Sequence, residues 1–395
     1  ELPLSRQELH DCTLSELGVD SLSLLKLVNA IKLEFNHQIT LSALSELNSL
    51  ADLALHLDGK VATVGETKLQ RDLADLLACY EASHTVSESQ SGQAVLLTGA
   101  SGFIGAFMLA SLLPDHQVYC PVRATSDEEA RRKIERNMAT YGLTAALNDN
   151  LQVFKADLTH DFFGLSEVGF LQLVQQVNAV YHVAAEVNHV QGYSALRETQ
   201  LRVWQNLMPF LKKPALEQFH FFSSVAVNKL NQGIWHEESI PANGHEIASG
   251  YGKSKWLGEQ FLHQIDTNAS IRIYRIGEVG GSLKTGHGRS DDFVHNLLAL
   301  MASLGSFPAE LVSKPLVVDM LPVDWLVEFI QRQPLDGETV LLNLRNLSPQ
   351  PLHSVLQDLG CKEDNAISWS DWLNALHQQA LSHSDKLLNV LPYYT

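Results

Sequence analysis

Ala94-Val95-Leu96-Leu97-Thr98-Gly99-Ala100-Ser101-Gly102-Phe103-Ile104-Gly105 is the stretch on which the fold turns. A short apolar run ends on threonine, glycines stand at 99, 102 and 105, and an apolar pattern at helical spacing starts at once. That is a strand, a tight turn and a helix in succession. The glycines let the backbone turn sharply and approach a ligand closely, and the helix start presents N–H groups and partial positive charge to a pyrophosphate. The spacing therefore predicts a dinucleotide site lined by Gly99, Ser101, Gly102, Phe103, Ile104 and Gly105. A glycine turn that only packs is the competing reading.

Further along, short β-rich runs alternate with longer helical patterns. Candidate strands are Ala94–Thr98, Gln117–Val122, Leu151–Ala156, Ala179–Val183, Phe219–Ser223 and Ile271–Arg275. This alternation predicts an α/β, Rossmann-type doubly wound parallel sheet over residues 92–280. After Gly280 it fades, and residues 281–395 are expected to form a smaller, mostly helical substrate-binding part.

Composition sets outer limits. A chain of 395 residues, 45% hydrophobic and 18% charged, is too long for one ordinary core and has the balance of a globular protein. A net charge of -17 opposes nonspecific contact with nucleic acid or anionic lipid, so neither is expected as a partner. No apolar run reaches the roughly 20 residues of a membrane helix. Cys12, Cys79, Cys120 and Cys361 lack the paired spacing of a zinc site or disulfide framework, which points to a reducing cytoplasm and no metal. Glu1 in first place suggests a piece of a longer chain.

Residues 1–60 are leucine-rich and periodic, whereas 61–91 have the composition of a linker interrupted by a helix through Leu69, Leu73, Leu76 and Leu77. Within the first piece lies Leu17-Gly18-Val19-Asp20-Ser21-Leu22, just ahead of a helical face of Leu24, Leu25, Val28, Ile31 and Phe35. Asp20 and Ser21 can simply cap that helix. The motif also resembles the attachment site of acyl and peptidyl carrier proteins, all-α helical bundles whose serine carries 4'-phosphopantetheine. That resemblance implies a carrier domain over 1–60, an arm on Ser21 and a phosphopantetheinyl transferase as partner.

The end of the second candidate strand is Val122-Arg123-Ala124, where an NAD binder usually has an acid. A guanidinium suits a 2′-phosphate, so Arg123, with Lys133 from the following helical pattern, favours NADP. Farther on, Tyr251-Gly252-Lys253-Ser254-Lys255 puts a phenol and an ammonium at i and i+4 of one helix, after the strand end Ser223-Ser224. The spacing predicts that Lys255 lies near the Tyr251 phenol and favours its ionised form, while Ser224 aims a hydroxyl at the same reacting oxygen.

The order of glycine loop, serine and Tyr/Lys pair resembles the extended short-chain dehydrogenase/reductase family. Val118-Tyr119-Cys120-Pro121-Val122-Arg123-Ala124, Ala156-Asp157-Leu158, Tyr181-His182-Val183-Ala184-Ala185, Arg275-Ile276-Gly277-Glu278-Val279-Gly280-Gly281 and Asp319-Met320-Leu321-Pro322-Val323-Asp324 are similar to thioester reductase domains of nonribosomal-peptide and polyketide synthases. The resemblance implies NADPH-dependent release of a carrier-tethered acyl or peptidyl thioester as an aldehyde or alcohol, with upstream synthetase domains as partners. It implies Ser224, Tyr251 and Lys255 as catalytic residues, Tyr251 and Lys255 also touching the cofactor, and Asp157 and Leu158 lining the adenine site. Lys133, Val183 and Ser224 stand where that family often has arginine, a polar residue and threonine. Two rival readings are a redox-inactive cyclising release domain and a nucleotide-sugar epimerase or dehydratase.

Overall fold

The computed structural model describes residues 64–83, 94–185, 192–228, 249–290, 292–312 and 316–382, with isolated positions between 27 and 57 and at 244 and 247. Cys12 and Ser21 lie outside the described residues.

The linker helix α1 covers Val64–Ala82. Strand β1 (Ala94–Thr98) leads into α2 (Phe103–Leu112), β2 (Gln117–Val122) into α3 (Asp127–Thr140), and β3 (Leu151–Lys155) into α4 (Glu167–Gln176). Strand β4 (Val177–His182) is followed by α5 (Tyr193–Leu211), β5 (Gln218–Ser224) by α6 (Gly250–Gln264), then β6 (Ser270–Ile276). A strand expected from none of the sequence patterns, β7 (Thr339–Leu344), pairs in parallel with β6 from Thr339↔Ile271 to Leu344↔Ile276. The seven strands run in the order β7-β6-β5-β4-β1-β2-β3.

That order explains where a ligand fits. The chain winds outward from β1 to one edge, then returns to β4 and winds to the other. The chain thus leaves β1 and β4 toward opposite edges of the sheet, the switch point where a crevice at the carboxyl ends of the strands takes a ligand. β1, β4 and β6 are buried along their whole length, as parallel strands covered on both faces must be.

Local chemistry sets the helix starts. Ser126 accepts from Glu129 N, while Glu129 reaches back to Thr125 N at 2.7 Å, and three acids occupy the first turn of α3. Ser249 caps α6 through Gly252 N at 2.9 Å. Helix α1 packs into the core through Leu69, Leu76 and Tyr80, each 1% exposed. Its Asp72 is fully buried, accepts from Tyr193 Oη at 2.8 Å and receives Nε and Nη2 of Arg197. Asp72→Ala is expected to lower the unfolding free energy by roughly 2–4 kcal/mol, because Arg197 and Tyr193 lose their acceptor. An unchanged urea midpoint would contradict that.

The chain divides into two compact units, one comprising residues 1–276 and 327–344, the other 277–326 and 345–395. The second unit is more intermixed than a mostly helical piece. Three two-stranded pairings occur in it, Glu278–Gly280 with Met320–Pro322, Val317–Val318 with Gln350–Pro351, and Phe307–Pro308 with Ala366–Ile367. Its core gathers Leu300, Met301, Phe307, Leu356, Cys361 and Trp372. Among the described residues no helix is long and apolar enough to cross a membrane. Ile31, Ile39, Leu44 and Leu53 form a separate buried cluster near the start of the chain.

Candidate active site

The glycine loop sits at the carboxyl end of β1. Gly99 adopts φ +77°, a region that favours glycine, and a Cβ there would lie 2.6 Å from Ala184 N in the segment after β4. A Cβ on Gly105 would overlap the Gly99 carbonyl oxygen. Gly102 begins α2 with no side-chain cap, so the first helical N–H groups face the crevice edge without a side-chain acceptor. Asn137, on α3, donates to Ala100 O (3.1 Å) and Gly102 O (3.0 Å) and holds the turn in shape. Backbone this closely packed, around an uncapped helix start, fits a dinucleotide pyrophosphate. The side chain of Phe103 turns away from it, against the Phe107 and Tyr141 rings at 5.5 and 5.1 Å. Gly105→Ala is expected to weaken binding of a reduced nicotinamide dinucleotide at least about tenfold in a fluorescence titration, since the new methyl must displace the Gly99 carbonyl; equal affinity would contradict the fit.

Arg123 and Asp157 leave the ends of β2 and β3 side by side, with Arg123 Nε 3.1 Å from Asp157 Oδ2 and the arginine side chain 76% exposed. Burial opposes the Asp157 charge, but hydrogen bonds from Thr159 and the nearby Arg123 outweigh it and hold the carboxyl below its usual range. Lys133 Nζ donates to Arg123 O at 2.8 Å and pairs with Glu129 at 3.1 Å, so its ammonium lies beside the arginine backbone. Leu158 packs on the core edge, and Asn206 of α5 donates to the carbonyls of Leu158 (3.0 Å) and His160 (2.8 Å).

Ser224 ends β5 and Tyr251 lies in the first turn of α6. Their side chains are hydrogen-bonded, and burial pushes the Tyr251 phenol up to about 12, with the Ser224 bond opposing the rise. Lys255 corrects the sequence expectation. Its Nζ donates to Phe222 O at 2.8 Å and stands 5.8 Å from the Tyr251 ring centroid. Burial brings the ammonium down to about 7, the Glu259 charge opposing the fall. The phenol therefore keeps its proton, because burial disfavours the phenolate more than the Ser224 hydrogen bond favours it.

Residues 97–330 match the family model described as male sterility protein, an NAD-binding domain, and residues 1–57 match that for the phosphopantetheine attachment site. The chain belongs to the male sterility protein family. It is 27% identical over 392 residues to a linear gramicidin synthase polypeptide of Brevibacillus parabrevis, covering 92% of this chain and 8% of that protein. It is 26% identical to the glycine betaine reductase ATRR of Emericella nidulans, covering 91% of this chain and 30% of that one. The chain thus spans well under half of these relatives. Among solved structures, the terminal R domain of the myxalamid biosynthetic pathway superposes with a TM-score of 0.68 at 25% identity, over 81% of this chain and 85% of that one. A thiolation-reductase di-domain from an archaeal nonribosomal peptide synthetase shares the fold, with a TM-score of 0.64 at 16% identity over 98% of this chain and 84% of that one. The chain is accordingly a carrier domain followed by a reductase-type oxidoreductase domain of Rossmann fold.

In this member of the male sterility family, a fully buried charge cluster lies beneath the site. Glu259 accepts from Ser223 Oγ at 2.5 Å and pairs with Arg275 at 2.6 Å, both ionic side chains being inaccessible to solvent. Ser223 is thereby turned toward the interior while Ser224 meets Tyr251. His182, bonded to Thr98 Oγ1 at 2.8 Å, is held down to about 3 by burial and then by the Lys255 charge. Glu259, Asn137 and Asn206 were not singled out from the sequence. Glu259 alone left a trace there, one helical turn beyond Lys255.

Proposed function

We propose that this protein reduces an acyl or peptidyl thioester, presented on a phosphopantetheine arm at Ser21, and releases it as an aldehyde at the expense of NADPH. The hydrogen-bonded Ser224–Tyr251 pair at the carboxyl edge of a glycine-loop sheet carries the reading. The carrier-type match ahead of it and the likeness to synthetase R domains support it.

Gly99 to Gly105 and the start of α2 would hold the pyrophosphate, Arg123 and Lys133 the adenosine 2′-phosphate, and Asp157 and Leu158 the adenine side. A bound reduced nicotinamide supplies the hydride for the thioester carbonyl carbon. Tyr251, protonated across the working range, donates its proton as negative charge grows on the carbonyl oxygen. Ser224 adds a second donor to that oxygen, and Lys255, anchored by Phe222 O, compensates the charge left on the phenol. The thiohemiacetal then loses the pantetheine thiol, its carbon–sulfur bond breaking as the carbonyl re-forms. A second NADPH taken up in the same site would supply the hydride that carries the aldehyde on to the alcohol.

Cofactor choice can be tested apart from turnover. Arg123→Ala is expected to weaken NADPH binding roughly 10- to 100-fold while changing NADH affinity less than threefold, as loss of a phosphate-directed guanidinium should. Parallel loss for both cofactors would refute the assignment. Intact mass after treatment with a phosphopantetheinyl transferase and coenzyme A should show one added arm, abolished by Ser21→Ala.

A further inference from the structure

We propose that helix α1 is a fixed arm that carries the chain across the reductase and starts the carrier's tether at the catalytic edge of the sheet. This rests on Ser21 bearing the acyl group, as argued above.

Direction is the first observation. Near the start of α1, Lys68 Nζ donates to Ser194 Oγ at the first turn of α5, 3.4 Å away. Leu69 presses on Gly244 so closely that a Cβ there would overlap it, and the same spot touches Trp256 of α6. Near the end of α1, Tyr80 Oη donates to Leu211 O (3.4 Å) at the last turn of α5 and to Asp266 O (2.7 Å) just past α6. Helix α1 therefore runs parallel to α5 and α6. Those helices follow β4 and β5, so their starts lie at the carboxyl edge with Ser224 and Tyr251, and their ends at the opposite edge. The 19 residues of α1 span about 28 Å, enough to cross the sheet from one edge to the other. The carrier side of the helix is at the catalytic edge, and the β1 side is at the far one.

Firm seating is the second. The buried Asp72–Arg197 pair and the core positions of Leu69, Leu76 and Tyr80 make α1 part of the reductase body. Only residues 58–63 separate the carrier match from Val64, seven Cα steps that reach at most about 25 Å whatever their conformation. Had α1 been loose, the tether would run from Leu57 to Ala94 and start at the wrong edge.

A matched pair of insertions tests this on the full chain, loaded at Ser21 with an acyl-pantetheine arm. Twenty Gly/Ser residues go after Lys60 in one variant and after Ser87 in the other. Single-turnover NADPH oxidation is followed, together with the concentration of a nonreducible acyl-pantetheine thioether that halves it. If α1 is fixed, the first insertion lengthens the whole tether, and rate or half-inhibitory concentration falls about five- to tenfold by the −3/2 power of length. The second changes neither by more than twofold. Both variants should reduce a diffusible pantetheine thioester like the parent. Equal effects of the two insertions, no effect of either, or a rise after Lys60 would overturn the proposal. A parent that reduces neither tethered nor diffusible thioester would instead sink the function itself, and this inference with it.

Discussion

Tyr251→Phe is expected to lower kcat for thioester reduction by about 10²- to 10⁴-fold while leaving NADPH affinity within threefold of the parent. The ring remains to fill its buried position, so packing survives; the donor for the growing oxyanion does not. Ser224→Ala should lose less, about 10- to 100-fold, since the phenol persists. The pH dependence separates the partners. Burial has brought Lys255 from 10.5 down to about 7, so its charged form is lost as pH rises through that value. Tyr251, pushed up to about 12, holds its proton throughout. Hence kcat/KM, which reports the free enzyme, should fall above about pH 7, and that limb should vanish in Lys255→Met along with most of the activity. A flat profile to pH 9 would contradict the requirement for a charged Lys255.

Glu259→Gln is expected to destabilise the reductase by roughly 3–5 kcal/mol, because it leaves the Arg275 guanidinium buried without its counter-charge. Chemical denaturation followed by tryptophan fluorescence reads the loss. Adding Arg275→Met to that variant should restore at least half of it, since the unpaired charge goes and an apolar chain fills the space. The pair then contributes less to stability than to alignment. Glu259 ties α6 to the end of β5 through Ser223 and to β6 through Arg275, the three elements that carry or flank the proposed reacting groups. The groups facing Lys255 are Tyr251 and Glu259 on its own helix and His182 from β4, with Arg275 behind Glu259. Loss of the Glu259 charge should therefore move the falling limb of kcat/KM to lower pH. Were Glu259→Gln as stable as the parent with an unmoved limb, the cluster would be mere packing.

Much of this was legible in the chain. The strands from β1 to β6 stood out as short apolar runs between helical patterns, most plainly β1, β4 and β6, which are covered on both faces. Their observed ends differ from the expected ones by at most two residues, as at β4, which starts at Val177 rather than Ala179. The leucines at 69, 73, 76 and 77 announced α1 by their spacing. Strand β7 was hidden for a physical reason. It is an edge strand, half-buried along most of its length, and it comes after an excursion into the other unit, so it stands outside the strand-and-helix alternation that marks β1 to β6. Lys255 shows a second limit. Helical spacing placed the ammonium on the phenol's side of α6, but only the fold reveals that the Phe222 carbonyl claims it and that burial dominates both pKa values. The Ser223–Glu259–Arg275 cluster joins residues up to 52 positions apart, a proximity no local pattern encodes.

The central claim is that a tethered acyl thioester is released by reduction. Chain loaded at Ser21 with an acyl-pantetheine arm, mixed with NADPH, should consume one cofactor for each aldehyde released, or two for each alcohol, and Ser21→Ala should consume none. Release of the acyl group as an acid or a ring with no change in nicotinamide absorbance would contradict it.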